Sequence, residues 1–287
     1  MTKSPVNAGA SARARLLQQA RALGQPFDLL LVRFTLERLL YRLSISEHAN
    51  RFVLKGAMLL TTWFNEPARP TRDLDLLGFG DPDSEVMLAT FQEILAIEVT
   101  DGVMFDAENL RVDRIRENLE YGGVRLRTTA DVGGARIPVS IDIGFGDALE
   151  PGVELLDYPV LLDQPAPKLR AYARETVIAE KFQAIVLLGR ANSRMKDFYD
   201  IWLLAKGFPF EEDRLARAIR ATFDRRKTEI PGTLPDGLTQ DFAQDPAKVA
   251  QWEAFKRDLG TDPGSLETVC AALADFLGPQ AEAARKL

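Results

Sequence analysis

The chain reads as an α+β protein, a β-sheet flanked by helices and followed by an α-helical C-terminal domain. Two observations predict this. The segments FVLK (52–55), RDLDLLG (72–78), VRLRTTAD (124–131) and RIPVSIDIG (136–144) run apolar or alternate, with glycine and proline between them, as strands do. From Arg174 onward, apolar residues instead recur at helical spacing almost without interruption. The composition changes near Glu150, where Pro151, Pro159, Pro165 and Pro167 mark a connecting region. The expected division is therefore a sheet-bearing domain over 1–165, including N-terminal helices, and a helical domain over 166–287.

Taken in order, Leu16, Leu17, Ala20 and Leu23 place a first helix over 10–24, and Phe27 to Leu43 forms a longer one, apolar over much of its surface and hence buried. His48 falls in the polar loop after it. FVLK is a short buried strand, Gly56 permits a sharp turn, and Ala57 to Phe64 continue as helix. The two prolines of NEPARPT (65–71) stop that helix and start RDLDLLG in extended form. DPDSEVMLATFQEILA (81–96) opens a helix on Asp and Ser. VMFD (103–106) and NLRVDRIR (109–116) read as strands, and the next two strands are joined by the Gly133-Gly134 turn, a hairpin signal. YPVLL (158–162) reads as an edge strand. Helices follow at 174–190, 194–206, 211–227, 245–258 and 264–277, with a loop over 228–241.

Composition removes several chemistries. One Cys and one His among 287 residues cannot build a Cys/His zinc site, and His48 has no nucleophile motif near it. Acid–base work falls to carboxylates and lysines. Cys270 alone forms no intrachain disulfide, which fits a reducing cytoplasm. No apolar run reaches the 18 or so residues of a membrane span, and the first residues lack the apolar core of a signal peptide. The net charge is −6 but unevenly spread. Asp73 to Leu110 holds ten acidic residues and no Lys or Arg. Basic residues gather at Arg111, Arg114, Arg116, Arg125 and Arg127, then at Arg190, Arg194 and Lys196, then from Arg214 to Lys227. Such a pattern is usually only a solvated surface, yet it suits a substrate that brings phosphates.

The stretch from Phe52 to Gly78 organises the rest. A strand places Asp73 and Asp75 on one face, about 7 Å apart along the chain, with Leu74 and Leu76 on the other. These are two solvated acids on an edge, or half of a divalent-metal site. Asp142, between two isoleucines, is either turned outward or in use. Lys181 falls within the apolar stripe of its helix, so it either snorkels or meets a phosphate or a carboxylate cluster. Asp197 and Asp200 occupy the first turns of the next helix, with Ser193 as the expected N-cap. The helix dipole alone accounts for Asp200, while Asp197, beside Arg194 and Lys196, reads as support for a basic cluster.

Together FVLKGAMLL, ARPTRDLDL, VSIDIGFGD and ETVIAEKFQAIV followed by SRMKDFYDIW resemble the AbiEii/AbiGii-type nucleotidyltransferase toxins of bacterial toxin–antitoxin and abortive-infection systems. The resemblance spans roughly residues 30 to 205, and the C-terminal third has no motif that matches. It implies a nucleotidyltransferase fold whose mixed sheet bears the acids. Asp73 and Asp75 match the paired metal-binding carboxylates, and Asp142 is the expected third, with two Mg²⁺ ions and an NTP as partners. Lys181 matches a helical lysine that contacts the triphosphate, and Asp197 the acid that follows it, with Arg194 and Lys196 adjacent. Lys55, Gly56 and Ala57 form the nucleotide-binding turn. The wider superfamily has Gly-Ser there, so a hydroxyl is missing, although backbone N–H groups remain. Arg69 and Thr71 belong to the same motif, Arg69 facing phosphate. The implied reaction moves a nucleoside monophosphate onto RNA, often a tRNA 3′ end, under control of a cognate antitoxin. The alternatives are a small-molecule acceptor, as in antibiotic nucleotidyltransferases, or an inactive nucleotide-binding module.

Overall fold

The computed structural model describes residues 7–64, 68–115 and 122–287. It divides into two compact units: Met1–Gly146 with Leu155–Ala171, and Asp147–Glu154 with Tyr172–Leu287. Among the described residues, no helix is long and apolar enough to cross a membrane.

In the first unit, α1 (Ala8–Leu23) is capped by the Asn7 side chain and closed by Gly24 in the left-handed region. The next helix, α2 (Phe27–Ile45), buries apolar residues from Leu30 to Leu43 and, with them, Glu37, Arg38 and Arg42. Arg42 is satisfied by both Asp101 oxygens and by the carbonyls of Ile97 and Val103, which is what lets a charge sit in a core. There follow β1 (Phe52–Lys55), α3 (Met58–Phe64), β2 (Asp73–Gly78) and α4 (Ser84–Ala96). Asp83 caps α4 through the N–H groups of Glu85 and Val86.

The remaining strands are β3 (Val103–Phe105), β4 (Arg111–Ile115), β5 (Gly123–Val132), β6 (Ala135–Phe145), β7 (Val153–Asp157) and β8 (Lys168–Tyr172). Their order in the sheet is β3-β5-β6-β2-β1-β8-β7, with β4 also paired to β5. The sheet is mixed: β2 runs antiparallel to β1 but parallel to β6, and β1 runs parallel to β8. The β5–β6 hairpin closes on Val132 and Ala135. Gly133 and Gly134 both have positive φ, 55° and 82°, as a type I′ turn requires. Leu74, Leu76, Leu126, Ile141 and Ile143 are fully buried, so this face is committed to the core and the charged residues alternating with them fall on the other.

The edge strand expected at YPVLL is not formed. The strand lies just before it, at β7, and residues 158–162 are irregular. The side chains there explain this: Tyr158 and Leu162 are buried, and the Leu161 N–H donates to Glu37 Oε2 rather than to a ladder. Arg116 and the start of NEPARPT (65–67) lie outside the described residues.

The second unit is helical: α5 (Arg174–Leu188), α6 (Met195–Gly207), α7 (Glu212–Arg225), α8 (Gln240–Ala243), α9 (Pro246–Lys256) and α10 (Leu266–Lys286). Its core is aromatic, with Phe198 stacked on Phe242 and Phe182 tilted against Phe223. Ser193 is not the cap of α6. Arg194 holds that position without a side-chain cap bond, while the buried Asn192 accepts the Arg194 N–H. The last helix runs past the expected end at 277 in spite of Pro279. Its buried stripe of Val269, Cys270, Leu273, Leu277, Ala281 and Ala284 continues at the same spacing, and that packing outweighs the one hydrogen bond a proline removes.

Candidate active site

Strand register assembles the first group of charged residues. Asp75 on β2 stands opposite Lys55 on β1 and opposite Asp142 on β6. Asp142 in turn stands opposite Arg125 on β5. Directly paired residues share a face, and adjacent strands lie about 4.8 Å apart. One row across four strands therefore reads Lys, Asp, Asp, Arg. Asp73, two residues before Asp75, lies on the same face one row along, opposite Ser140.

Gly56 brings the backbone against this row. Its φ is +75°, and a Cβ built there would lie 2.0 Å from Asp75 Oδ2 and 2.7 Å from Asp75 Cβ. The turn thus needs glycine both for its conformation and to leave room for a carboxylate. Ala57 beside it is buried.

Arg125 grips Asp142 at two points, Nε to Oδ1 at 2.6 Å and Nη2 to Oδ2 at 2.5 Å. All three carboxylates push the Arg125 pKa upward, Asp142 most strongly through its hydrogen bond.

The second group lies in the helical unit. Lys181 Nζ is 2.8 Å from Asp197 Oδ1 and 2.8 Å from Asp200 Oδ2. Both carboxylates are essentially fully buried, and the lysine side chain is 12% exposed. Arg194 Nε adds a 2.7 Å contact to the other Asp197 oxygen. Helix geometry produces the cluster: Asp197 and Asp200 are three residues apart on α6, so they share a face, and Lys181 reaches them from α5. Asp200 was expected to serve the helix dipole only. It is instead a full partner of the lysine, and the i, i+3 spacing within an apolar helix was the signal for it.

The other expected site residues are placed less specifically. Thr71 donates to the Asp73 carbonyl at 3.3 Å, and Arg69 Nη1 lies 3.5 Å from the Pro70 carbonyl. Lys196 is exposed on α6. His48 lies in a turn, as expected, and pairs there with Glu93 at 2.7 Å. Much of the basic surface of the helical unit is already matched by acids of the same unit: Arg190 with Asp236, Arg214 with Glu175, Arg217 with Glu150, and Arg226 with Asp147 and Glu180. Arg125 was read as one member of a basic cluster, but its register partner makes it part of the acidic site.

Comparison with known proteins bears on the family and the fold. A family model described as "Nucleotidyl transferase AbiEii toxin, Type IV TA system" matches residues 38–276. Among solved structures, JHP933 from Helicobacter pylori superposes with a TM-score of 0.53 at 17% identity, covering 90% of this chain and 94% of that one. A second H. pylori chain, provisionally described as a nucleotidyltransferase, gives 0.52 at 18% identity, covering 90% and 96%. At such identities the likeness is one of fold. No curated protein matches the sequence.

Proposed function

The chain belongs to the AbiEii family of nucleotidyltransferase toxins of type IV toxin–antitoxin systems, and on that premise we propose that it transfers a nucleoside monophosphate from an NTP to an RNA acceptor, the 3′ end of tRNA, in the cytoplasm. The observation that carries this reading is the register of β2 and β6, which sets Asp75 beside Asp142 with Asp73 on the same face. Like charges on one face of a sheet are costly unless compensated; Arg125 compensates Asp142 here, and a nucleotidyltransferase's substrate brings a cation for the group.

Asp73, Asp75 and Asp142 would hold Mg²⁺, which when bound neutralises the phosphates and favours the ionised acceptor hydroxyl. The chain's own residues do the rest. The Gly56 turn lets the backbone approach the phosphates closely, and the start of α3 offers N–H groups to their oxygens. Lys55 adds a positive charge at the end of the row. Within the helical unit, Lys181 is held in a fixed position by Asp197 and Asp200, a cation available to phosphate with its position set in advance. Arg69 faces phosphate, and Arg194 and Lys196 extend the basic surface beside Asp197.

The acceptor's backbone fits the arginines of α7. Their pairs with acids are partly solvent-exposed, as at Arg217 and Arg220. Such pairs contribute about 0–1 kcal/mol each, so RNA phosphates can compete for them. Control by a cognate antitoxin follows from the family, without a contact being assigned.

The experiment is incubation with each labelled NTP, Mg²⁺ and either total tRNA or a panel of aminoglycosides. Label moves to tRNA with wild type and not with Asp73→Ala or Lys181→Ala. Equal labelling by all three proteins removes the assignment of these residues, and label on the small molecules alone replaces RNA as acceptor.

A further inference from the structure

The row of charges across the sheet contains one residue for which the family reading has no role. Arg125 faces Asp142 directly in register and engages both of its oxygens. A carboxylate gripped by both prongs of a guanidinium has its best-placed lone pairs taken. A cation can then ligate Asp142 fully only if the fork opens. Both partners are partly open to solvent: the Arg125 side chain is 33% exposed and the Asp142 side chain 20%. A residue serving only to anchor the sheet would be expected on the buried face, where Leu126 and Ile141 lie. Arg125 is on the face of the acids. On its other side its register partner is Asp113, and Asp113 is already paired with Arg127.

We propose that Arg125 is a resident counter-ion of the nucleotide-free enzyme, which occupies Asp142 until divalent cation and NTP arrive together, then releases it and turns its guanidinium to the incoming phosphates. This rests on the assignment of Asp73, Asp75 and Asp142 as the metal-holding acids. It accounts for how three carboxylates coexist in the absence of substrate. It also gives the site a preference for cation and nucleotide together over cation alone, because only the phosphates compensate the displaced guanidinium. Removing Arg125 therefore has effects of opposite sign on the two ligands. Bare Mn²⁺ gains a vacated carboxylate, whereas the Mn²⁺–nucleotide complex loses a phosphate contact.

The test is binding, not turnover. Mn²⁺ affinity is measured by electron paramagnetic resonance on the full chain, with and without a non-hydrolysable NTP, for wild type, Arg125→Gln, Arg125→Lys and Asp142→Asn. Arg125→Gln is expected to bind bare Mn²⁺ about ten-fold more tightly, the low end of what a neighbouring opposite charge does to a carboxylate, and the Mn²⁺–nucleotide complex more weakly. Arg125→Lys, with the charge but not the fork, falls between. If Arg125→Gln binds bare Mn²⁺ as wild type does, or less tightly, while Asp142→Asn loses it, Arg125 merely orients Asp142 and the proposal is overturned with the site intact. If Asp142→Asn keeps wild-type Mn²⁺ affinity, the metal-site reading itself fails. Should the variants not fold, the wild-type chain still decides. The Arg125 Nε–H resonance shifts when Mg²⁺ and nucleotide are added together, and an unchanged resonance contradicts the release.

Discussion

Gly56 and Asp75 meet so closely that a methyl group on Gly56 would overlap the Asp75 carboxylate. The φ of +75° adds backbone strain for any L-residue, of about 1–2 kcal/mol. Gly56→Ala is therefore expected to fold, with a modest drop in melting temperature, and to lose a much larger share of its nucleotidyl transfer, at least about ten-fold, because the carboxylate is pushed out of its row. A variant with normal transfer and an unchanged melting point would show that the turn does not set the position of Asp75.

The lysine cluster in the helical unit makes a prediction about coupling. Lys181→Ala leaves Asp197 and Asp200 buried with less compensation, although Arg194 still reaches Asp197. Breaking a buried pair in this way costs about 3–5 kcal/mol. Asp200→Ala alone is expected to destabilise as well, and the double variant by clearly less than the sum. Urea unfolding of the four proteins measures this, and strict additivity would mean that Asp200 is no partner of the lysine.

A pH dependence follows from Glu37. Burial pushes its carboxyl up to about 7, outweighing the attraction of Arg38 and the Leu161 N–H. The folded chain thus retains a proton that the unfolded chain, with its ordinary value of 4.5, gives up. Between these values the native state binds more protons, so this group's contribution makes stability fall as pH rises from about 4.5 through 7. Over that window the stability of Glu37→Gln relative to wild type should rise by about 3 kcal/mol. Chemical denaturation at pH 4.5, 6 and 8 reads it, and a constant difference between the two proteins would contradict the buried, protonated state.

What the sequence revealed and what it withheld divide along a physical line. The elements were legible because periodicity is local. The alternation in DLDLLG and VSIDIG, the Gly133-Gly134 turn and the stripe of α5 each reside within a dozen residues. Even the pairing of Asp73 with Asp75 on one face follows from the pleat alone. Register between strands is not local. That Asp75 faces Asp142, and Asp142 faces Arg125, depends on how β2 slides along β6, and a shift of one residue would have turned the acid to the core face. Arg125 therefore looked like one arginine of a basic run. Asp200 was a different kind of miss. Two explanations competed for an acid near a helix start, the dipole and a buried partner, and the partner lay on a helix whose orientation the sequence does not state. YPVLL failed for a third reason: an apolar, β-prone segment was drawn into irregular packing by Glu37, a buried acceptor more than a hundred residues away.

The most direct test of the account is a crystal structure of the full chain with Mn²⁺ and a non-hydrolysable NTP, with the metal located by its anomalous scattering. The account predicts Mn²⁺ within coordination distance of Asp73, Asp75 and Asp142, the triphosphate over the Gly56 turn, and the Arg125–Asp142 fork open. Anomalous peaks away from these three carboxylates, or a nucleotide bound with Asp142 still clasped by Arg125 and touching no metal, would contradict it.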